Sequence, residues 1–223
     1  MIKIWHATVG SSNEEYEEQV YPQLSTSELR RLKGIKNELK RREYLLSRAL
    51  MRHALSERFG LKIQTWKFIE KKNSRPIVQN LPQGQWLSLT HSHGVICFCL
   101  HNQPIGIDIE QTQARPNFLA LAKAFMNDDE LELMNSEEYS TRDSFYKVWC
   151  AKEAFYKMLT PADQEGLSLK KINYFDLIED QHCHLTQGKI NDCYLALVTR
   201  EPTGETKPLK ALTFNGSTPI LWN

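Results

Sequence analysis

Two acidic residues alternate with isoleucines in a short stretch near the middle of the chain. Residues 105–110 read IGIDIE, and this alternation predicts a strand with one buried face. Asp108 and Glu110 are two residues apart, so they share the opposite face. Two carboxylates on one face repel unless a cation lies between them, and a hard cation such as Mg²⁺ prefers oxygen ligands. The alternative is an amphipathic strand with its polar face in water.

A second candidate lies on a helix predicted over residues 140–159. Glu153 and Lys157 are four residues apart, in the order that favours an ion pair on one helix face. Alone, such a pair is most often a surface ion pair. Lys152 lies in the apolar stripe of the same helix, which comprises Phe145, Val148, Phe155 and Leu159. A lysine there either extends its ammonium to the surface or meets an anion.

Basic and hydroxyl residues of the first half form the remaining candidates. Residues 30–52 hold nine Lys and Arg against two Glu. Within them Arg41, Arg48 and Arg52 share a helix face, which is usually solvated but could bind phosphate through guanidinium groups. The hydroxyl and imidazole groups of residues 90–92 could equally hold a phosphate. We interpret the cluster at residues 182–184 (HCH) as structural.

The elements that must position these residues follow an order that repeats in the two halves. Each half reads as strand, helix, helix and strands, which indicates an α+β fold of two similar lobes. We assign residues 1–104 to an N-terminal lobe and residues 105–223 to a C-terminal lobe. Helices are predicted over residues 25–33, 36–59, 117–134 and 140–159. Strands are predicted over residues 1–9, 66–69, 86–90, 95–100, 105–110, 172–177, 183–186, 193–199 and 209–214.

Composition excludes several classes of protein. The 223 residues are 41% hydrophobic and 25% charged, with a net charge of +1, which is typical of a globular domain rather than a disordered or collagen-like chain. The first lobe carries 16 Lys and Arg against 9 Asp and Glu (+7), and the second 12 against 18 (−6). Five cysteines without a CxxC pair argue against a disulfide framework or a zinc site. We expect a cytoplasmic protein with neither a nucleic acid nor a membrane as partner.

Taken together, these segments resemble the 4′-phosphopantetheinyl transferases, in particular the longer, two-lobed surfactin-synthetase-activating (Sfp) type. The resemblance rests on residues 105–110, followed after 38 residues by residues 149–157, which read WCAKEAFYK. Residues 90–92 (THS) resemble a further motif of that family, and residues 74–76 (SRP) resemble its Gly-Lys-Pro element. The combination of two motifs at this separation is specific, whereas each motif alone is not.

The resemblance implies a fold and an activity. It implies two similar lobes in a pseudo-twofold arrangement, with coenzyme A in the cleft between them. The phosphopantetheine arm of coenzyme A would pass to a serine of an apo-acyl, peptidyl or aryl carrier protein, releasing adenosine 3′,5′-bisphosphate. The carrier would serve a fatty-acid, polyketide, nonribosomal-peptide or lysine pathway. A monomer would suffice, since both lobes lie in one chain.

The resemblance also implies roles for individual residues. Asp108, Glu110 and Glu153 would hold Mg²⁺, or Mn²⁺, against the pyrophosphate. Glu153 would be the general base for the carrier serine, and Lys157 would contact the phosphates and stabilise the leaving group, so that these two residues and Asp108 are catalytic. The coenzyme A contacts would be Arg31, Arg48, Arg75, Thr90, His91, Ser92, Lys152 and Lys157.

Some positions depart from the family pattern or leave alternatives open. Ser74 replaces a glycine and Arg75 a lysine, while Cys150 replaces a small hydroxyl residue and is expected to be a packed neighbour rather than a nucleophile. Carrier contacts would fall on residues that are equally candidates for helix core, namely Phe118, Leu119, Phe125 and Met126. Two other functions remain open, a metal-dependent nuclease and a non-catalytic carrier-binding module.

Overall fold

The secondary structure mixes helices and strands, which confirms the predicted α+β class. The computed structural model describes residues 2–10, 18, 20–71, 75–113, 117–135, 140–190 and 192–200, together with the backbone of residues 212–214. Within these residues, no helix is both long and apolar enough to cross a membrane.

The strands and helices are numbered in chain order. The strands are β1 (Lys3–Thr8), β2 (Phe68–Ile69), β3 (Ile77–Val78), β4 (Trp86–Ser92), β5 (Val95–His101), β6 (Ile105–Gln111), β7 (His184–Ile190), β8 (Cys193–Thr199) and β9 (Leu212–Phe214). The helices are α1 (Thr26–Lys33), α2 (Glu38–Phe59), α3 (Phe118–Ala122), α4 (Asp128–Leu133), α5 (Thr141–Met158), α6 (Pro161–Gln164) and α7 (Tyr174–Glu179). Single 3₁₀ turns lie at Tyr21–Gln23, Ile63–Thr65 and Leu169–Lys171.

Local signals account for the two helices of the first half. Ser25 and Glu28 form a reciprocal capping box at the start of α1, which satisfies amide groups that the first turn leaves without partners. Asn37 caps α2, and Gly60 ends it in the left-handed conformation with φ +67°, which glycine adopts at little steric cost. Both helices therefore begin and end close to the predicted positions.

Each half packs one long helix against an antiparallel sheet. In the first half the strand order is β4-β5-β1-β9, with β9 parallel to β1, and α2 packs on β5 and β1. In the second half the order is β6-β8-β7, and α5 packs on β6 and β8. The division at residue 104 is incomplete, because β9 follows the second half in sequence yet joins the first sheet.

The two sheets share a core. The isoleucines of β6, at positions 105, 107 and 109, are fully buried and cluster with Cys97 and Cys99 of β5. The apolar face predicted for β6 therefore packs on the other sheet. The opposite face, which carries the acidic residues, turns toward α5 and is also covered, so the polar-face-in-water alternative is wrong for Asp108, which is 3% exposed.

Three predicted elements differ from the observed ones. The helix predicted over residues 117–134 is two helices, because Asn127 starts a new capping box at α4. The strand predicted over residues 172–177 is mostly helix α7, because Asn173 accepts a hydrogen bond from the amide of Phe175 and caps a helical turn. The strand predicted over residues 86–90 extends to Ser92. The β4–β5 connection is therefore only His93 and Gly94, both with positive φ, as in the two-residue turns that match strand twist.

Candidate active site

Strand β6 and helix α5 approach too closely for a side chain to fit between them. A Cβ added to Gly106 would lie 1.8 Å from the carbonyl oxygen of Ala154, far inside van der Waals contact. Asp108 lies on the same face of the strand as Gly106, since side chains alternate. The close approach therefore brings Glu153 and Lys157 of the helix to the acidic residues of the strand.

Lys157 forms an ion pair with Asp108 rather than with Glu153 on its own helix. Its Nζ is 2.5 Å from Asp108 Oδ1 and 3.2 Å from Thr90 Oγ1, and Thr90 Oγ1 donates to the same Oδ1 over 3.0 Å. Burial lowers the pKa of Lys157, but the charge of Asp108 and the hydrogen bond to it outweigh burial. The pKa of Lys157 therefore lies above its ordinary value, and the side chain stays charged.

Glu153 lies one helical turn from Lys157 and faces the same acidic residues. Burial raises the pKa of Glu153, and the charges of Asp108 and Glu110 raise it further against the opposing charge of Lys157. A carboxyl with a raised pKa is better matched to accepting a proton near neutral pH than an ordinary glutamate. The position suits a general base.

The three acidic residues offer oxygen donors, but they do not form a finished metal site. Among the residues that the structure describes, no three His, Cys, Asp or Glu side chains converge closely enough to hold a metal ion. Asp108 Oδ2 is nevertheless buried and has no hydrogen-bond partner among those residues. A buried carboxylate oxygen without a partner is costly, and a cation would relieve both this cost and the mutual repulsion that raises the pKa of Glu153. The donor set therefore fits a hard divalent cation.

A cleft of about 1080 Å³ opens beside Glu153 and Lys157, and both halves of the chain line it. The first half contributes basic side chains, which are Arg31, Lys40, Arg48, Arg75 and His91. The volume suits a ligand of cofactor size, and the basic wall suits an anionic one. Thus one cleft is lined by four of the residues that the resemblance implied as coenzyme A contacts, namely Arg31, Arg48, Arg75 and His91. Ser74 lies outside the described residues.

The basic wall carries its own carboxylate, which the sequence analysis missed. Arg48 Nη2 is 2.5 Å from Glu70 Oε1, and Arg31 Nε is 3.5 Å from Glu70 Oε2. Arg52 points into the core instead, where Nη2 is 2.7 Å from Oε2 of the buried Glu28. The solvated-face alternative is therefore wrong for Arg48 and Arg52, which are both buried, but not for Arg41.

His91 is held by a second missed carboxylate. Its Nδ1 is 3.2 Å from Glu43 Oε2, and Glu43 Oε1 accepts a 2.6 Å hydrogen bond from the amide of Gly94. Burial raises the pKa of Glu43, but the hydrogen bonds from His91 and Gly94 outweigh it, and the pKa lies below its ordinary value. An ionised Glu43 thus fixes the ring of the exposed His91 at the cleft.

Thr90 and Ser92 do not share the position of His91. Side chains alternate along β4, so His91 lines the cleft while its neighbours turn toward β6 and are buried. The hydroxyl of Thr90 is bonded to Asp108, and that of Ser92 is bonded to Glu110. In the structure these two hydroxyls contact carboxylates of β6, and their contacts with phosphate stay predictions. Strand β4 extends to Ser92, two residues beyond the strand predicted over residues 86–90, so the alternation includes His91 and Ser92.

The predicted contact of Lys152 with coenzyme A does not fit its position. Lys152 is fully buried, and its Nζ is 2.5 Å from Glu130 Oε2 and 2.7 Å from the carbonyl oxygen of Phe125. Burial lowers the pKa of Lys152, against the opposing effect of Glu130. The anion that Lys152 meets is thus Glu130 in the core beneath α5, and not a phosphate of a ligand.

The other expectations for this half have mixed outcomes. Cys150 is fully buried, and burial raises the pKa of its thiol well above the ordinary value, as suits a packed neighbour. Phe125 and Met126 belong to the core, whereas Leu119 is 47% exposed. Of the predicted carrier contacts, Leu119 is accessible and Phe125 and Met126 are not.

Fold and site together define a class of protein with a basic, cofactor-sized cleft lined by Glu153 and by Lys157, which is paired with a buried aspartate. Residues 104–204 match the family model described as the 4′-phosphopantetheinyl transferase superfamily. The matched segment contains β6 and α5, which carry Asp108, Glu110, Glu153 and Lys157.

Individual relatives agree with this match. The chain is 32% identical over 126 residues to the 4′-phosphopantetheinyl transferase Sfp of Bacillus subtilis, covering 56% of this chain and 53% of the relative. It is 31% identical over 128 residues to psf-1 of Bacillus pumilus, covering 57% and 54%. It is 26% identical over 179 residues to HetI of a Nostoc species, covering 72% and 76%.

The predicted resemblance to the Sfp-type 4′-phosphopantetheinyl transferases is therefore confirmed. The matches to Sfp and psf-1 span about half the length of those relatives.

Proposed function

We propose that this chain transfers the 4′-phosphopantetheine group of coenzyme A to a serine of an apo carrier protein. The observation that carries the proposal is the meeting of Glu153 with the Lys157–Asp108 ion pair at one end of a basic cleft. A base and a fixed cation are thereby placed beside a cavity of the size and charge that a nucleotide cofactor needs. The names of the relatives support the same reaction.

The reaction balances with groups that the chain itself provides. The serine Oγ attacks the phosphorus that carries the pantetheine arm, and its proton passes to Glu153 directly or through a water. A new O–P bond forms, and the P–O bond to the nucleotide phosphate breaks. Lys157 Nζ stabilises the charge that builds on the leaving adenosine 3′,5′-bisphosphate. Asp108 keeps Lys157 charged and oriented for this role.

Asp108, Glu110 and Glu153 would hold Mg²⁺, or Mn²⁺ in its place. When bound, the cation would neutralise negative charge on the pyrophosphate of coenzyme A. The raised pKa of Glu153 and the partnerless Oδ2 of Asp108 support a cation here.

Phosphate binding is proposed for the basic wall of the cleft. Arg31, Arg48, Arg75 and His91 would contact the phosphates of coenzyme A, since guanidinium and imidazolium groups pair well with phosphate oxygens. We also propose that residues 1–104 and 105–223 form two lobes in a pseudo-twofold arrangement. The packing of one long helix on an antiparallel sheet in each half supports this arrangement.

The partner and the setting are proposed on the resemblance. The carrier would come from a fatty-acid, polyketide, nonribosomal-peptide or lysine pathway, and the exposed Leu119 would contribute to its contact surface. The monomeric state, the cytoplasmic location and the exclusion of nucleic acid and membrane stay predictions.

The experiment is an intact-mass assay on a panel of apo carriers incubated with coenzyme A, Mg²⁺ and the full chain. We expect each accepted carrier to gain the mass of one phosphopantetheine group. Asp108→Asn and Glu153→Gln should abolish the gain while both variants remain folded by circular dichroism. No adduct on any of several diverse carriers would overturn the proposal.

Two other outcomes correspond to the functions that the sequence left open. Divalent-dependent cleavage of DNA or RNA by the pure chain would favour a nuclease, whose activity should then depend on the same acidic residues. Tight carrier binding without any mass gain would favour a binding module. Both outcomes contradict the transferase proposal.

A further inference from the structure

Strands β4 and β6 belong to different sheets, yet hydroxyl side chains of β4 join them. Backbone amides of alternate residues in β6 donate to hydroxyls of alternate residues in β4. The three bonds run from Ile107 to Ser88 Oγ over 3.1 Å, from Ile109 to Thr90 Oγ1 over 3.3 Å and from Gln111 to Ser92 Oγ over 3.2 Å. We call Ser88, Thr90 and Ser92 the hydroxyl ladder. Its members are buried, and each bond satisfies a backbone amide of β6 that would otherwise be costly to bury.

Two members of the hydroxyl ladder also hold the acidic residues. Thr90 Oγ1 donates to Asp108 Oδ1 over 3.0 Å, and Ser92 Oγ donates to Glu110 Oε2 over 2.9 Å. A hydroxyl has one proton and two acceptor sites. Because the amide of β6 already donates to each hydroxyl, the proton of Thr90 points at Asp108. The proton of Ser92 points at Glu110 when Nδ1 of His93, which lies 3.1 Å from Ser92 Oγ, carries its own proton.

All of the hydrogen-bonding capacity of the Thr90 hydroxyl is used. Thr90 Oγ1 donates once and accepts from Ile109 N and from Lys157 Nζ. The hydroxyl is thus fully used, and it cannot also bind a phosphate without losing one of these partners. One oxygen of Asp108 is fixed in this way, while Oδ2 is buried and has no partner among the described residues.

We propose that Thr90 and Ser92 are positioning residues that set the acidic pair for a divalent cation. Their hydroxyls hold Oδ1 of Asp108 and Oε2 of Glu110 against the backbone of β6, which leaves the second oxygen of each carboxylate for the cation. The inference rests on the proposed function for the presence of that cation. It differs from the phosphate-contact role that the resemblance implied for both residues.

Ser88 supplies a matched control within the same ladder. It accepts the same kind of amide hydrogen bond, from Ile107. The β6 residue that precedes Ile107 is Gly106, where the corresponding residues at the other two rungs are Asp108 and Glu110. Loss of the Ser88 hydroxyl therefore removes one hydrogen bond between β4 and β6 without removing a contact to a carboxylate.

The test measures Mn²⁺ binding by electron paramagnetic resonance, on the full chain with saturating coenzyme A. We expect Thr90→Val and Ser92→Ala to weaken Mn²⁺ binding by about 10-fold to 100-fold, as loss of groups that orient metal ligands does. Thr90→Ser, which keeps the hydroxyl, should bind within about 3-fold of the parent chain. Ser88→Ala should lose stability in urea and keep the parent Mn²⁺ affinity.

Equal Mn²⁺ affinity in Ser92→Ala and Ser88→Ala would overturn the inference, and this comparison suffices if Thr90→Val does not fold. A parent chain that binds no Mn²⁺ in the presence of coenzyme A would also overturn it. The proposed function fails separately. If the Mn²⁺ pattern holds while no carrier gains mass, the positioning role stands and the transferase proposal does not.

Discussion

Gly106 and Ala154 lie in direct backbone contact. A Cβ on Gly106 would lie 1.8 Å from the carbonyl oxygen of Ala154 and 2.7 Å from the amide nitrogen of Met158. Neither neighbour is the end of a flexible side chain, so the helix itself would have to move. The absence of one side chain on β6 is therefore what allows Lys157 to reach Asp108.

Gly106→Ala should separate β6 from α5. We expect a loss of at least about 2 kcal/mol in the free energy of unfolding, in the range of overpacked cores, together with loss of transfer activity. Urea unfolding followed by circular dichroism measures the first, and the intact-mass assay the second. Gly188→Ala is the control, since nothing lies within 4 Å of an added Cβ there. Equal stability of the two variants would contradict the close-approach argument.

Lys152→Met should destabilise the chain without weakening coenzyme A binding. The change leaves Glu130 buried and without its cation, and breaking a buried pair in this way costs about 3–5 kcal/mol. Urea unfolding checks the loss, and isothermal titration checks the dissociation constant for coenzyme A. The double variant Lys152→Met, Glu130→Gln should recover part of the stability. A tenfold weaker affinity for coenzyme A in folded Lys152→Met would restore the phosphate role that the sequence suggested.

Glu70→Gln should strengthen the binding of coenzyme A. Glu70 is paired with Arg31 and Arg48. Under the proposal that these arginines bind phosphate, removal of the charge of Glu70 should lower the dissociation constant by about 3-fold to 10-fold at low salt. The difference should shrink as salt screens the charges. Glu38→Gln, which removes an exposed carboxylate paired with Arg42 on α2, is the control. Weaker binding in Glu70→Gln would mean that Glu70 serves to orient the arginines.

Under the proposed general-base role of Glu153, the transfer rate should fall on the acid side, because only the ionised carboxylate can accept the proton of the carrier serine. Since the pKa of Glu153 is raised, the acid limb of kcat/KM should lie above the ordinary glutamate value of about 4.3. A pH profile of carrier modification measures it. Glu153→Gln should lose nearly all activity, and the residual rate should lack this limb. A limb that persists in Glu153→Gln would belong to another group.

Glu153 should also leave a signature in stability. The pKa of Glu153 is raised in the folded chain. Its contribution to the free energy of unfolding is therefore fully present below the pKa of the unfolded chain and is lost as pH rises through the pKa of the folded chain. In EDTA, Glu153→Gln should therefore unfold at higher urea than the parent chain at neutral pH. The two should converge at acid pH. A stability advantage of Glu153→Gln over the parent chain that grows on acidification would contradict a raised pKa for Glu153.

Much of the fold could be predicted because its signals are local. The alternation in β6 and the caps of α2 act within a few residues, and both elements lie where expected. The strand predicted over residues 172–177 was wrong, although the deciding signal is also local. The prediction followed the β-prone residues of this segment and overlooked the helix cap at Asn173. The helix predicted over residues 117–134 continued through Asn127, whose capping box was overlooked.

In the candidate site, too, the features set by local spacing could be predicted and the contacts between distant residues could not. Sequence spacing correctly put Asp108 and Glu110 on one strand face and Glu153 and Lys157 one helical turn apart. It gave no partner for Lys152, because Glu130 is 22 residues away in sequence. Glu70 carries no motif at all, and only its distance to Arg48 identifies it.

Spacing along the chain is enough to show which residue types share a face, and the two motifs sufficed for a family resemblance that the comparisons confirmed. Tertiary structure alone decided which charges meet. Asp108 pairs with Lys157 across 49 positions and receives the Thr90 hydroxyl across 18. The reason is physical, since backbone geometry sets the period of a strand or helix locally. The pairing of remote charges depends instead on how those elements pack, here on the missing Cβ of Gly106.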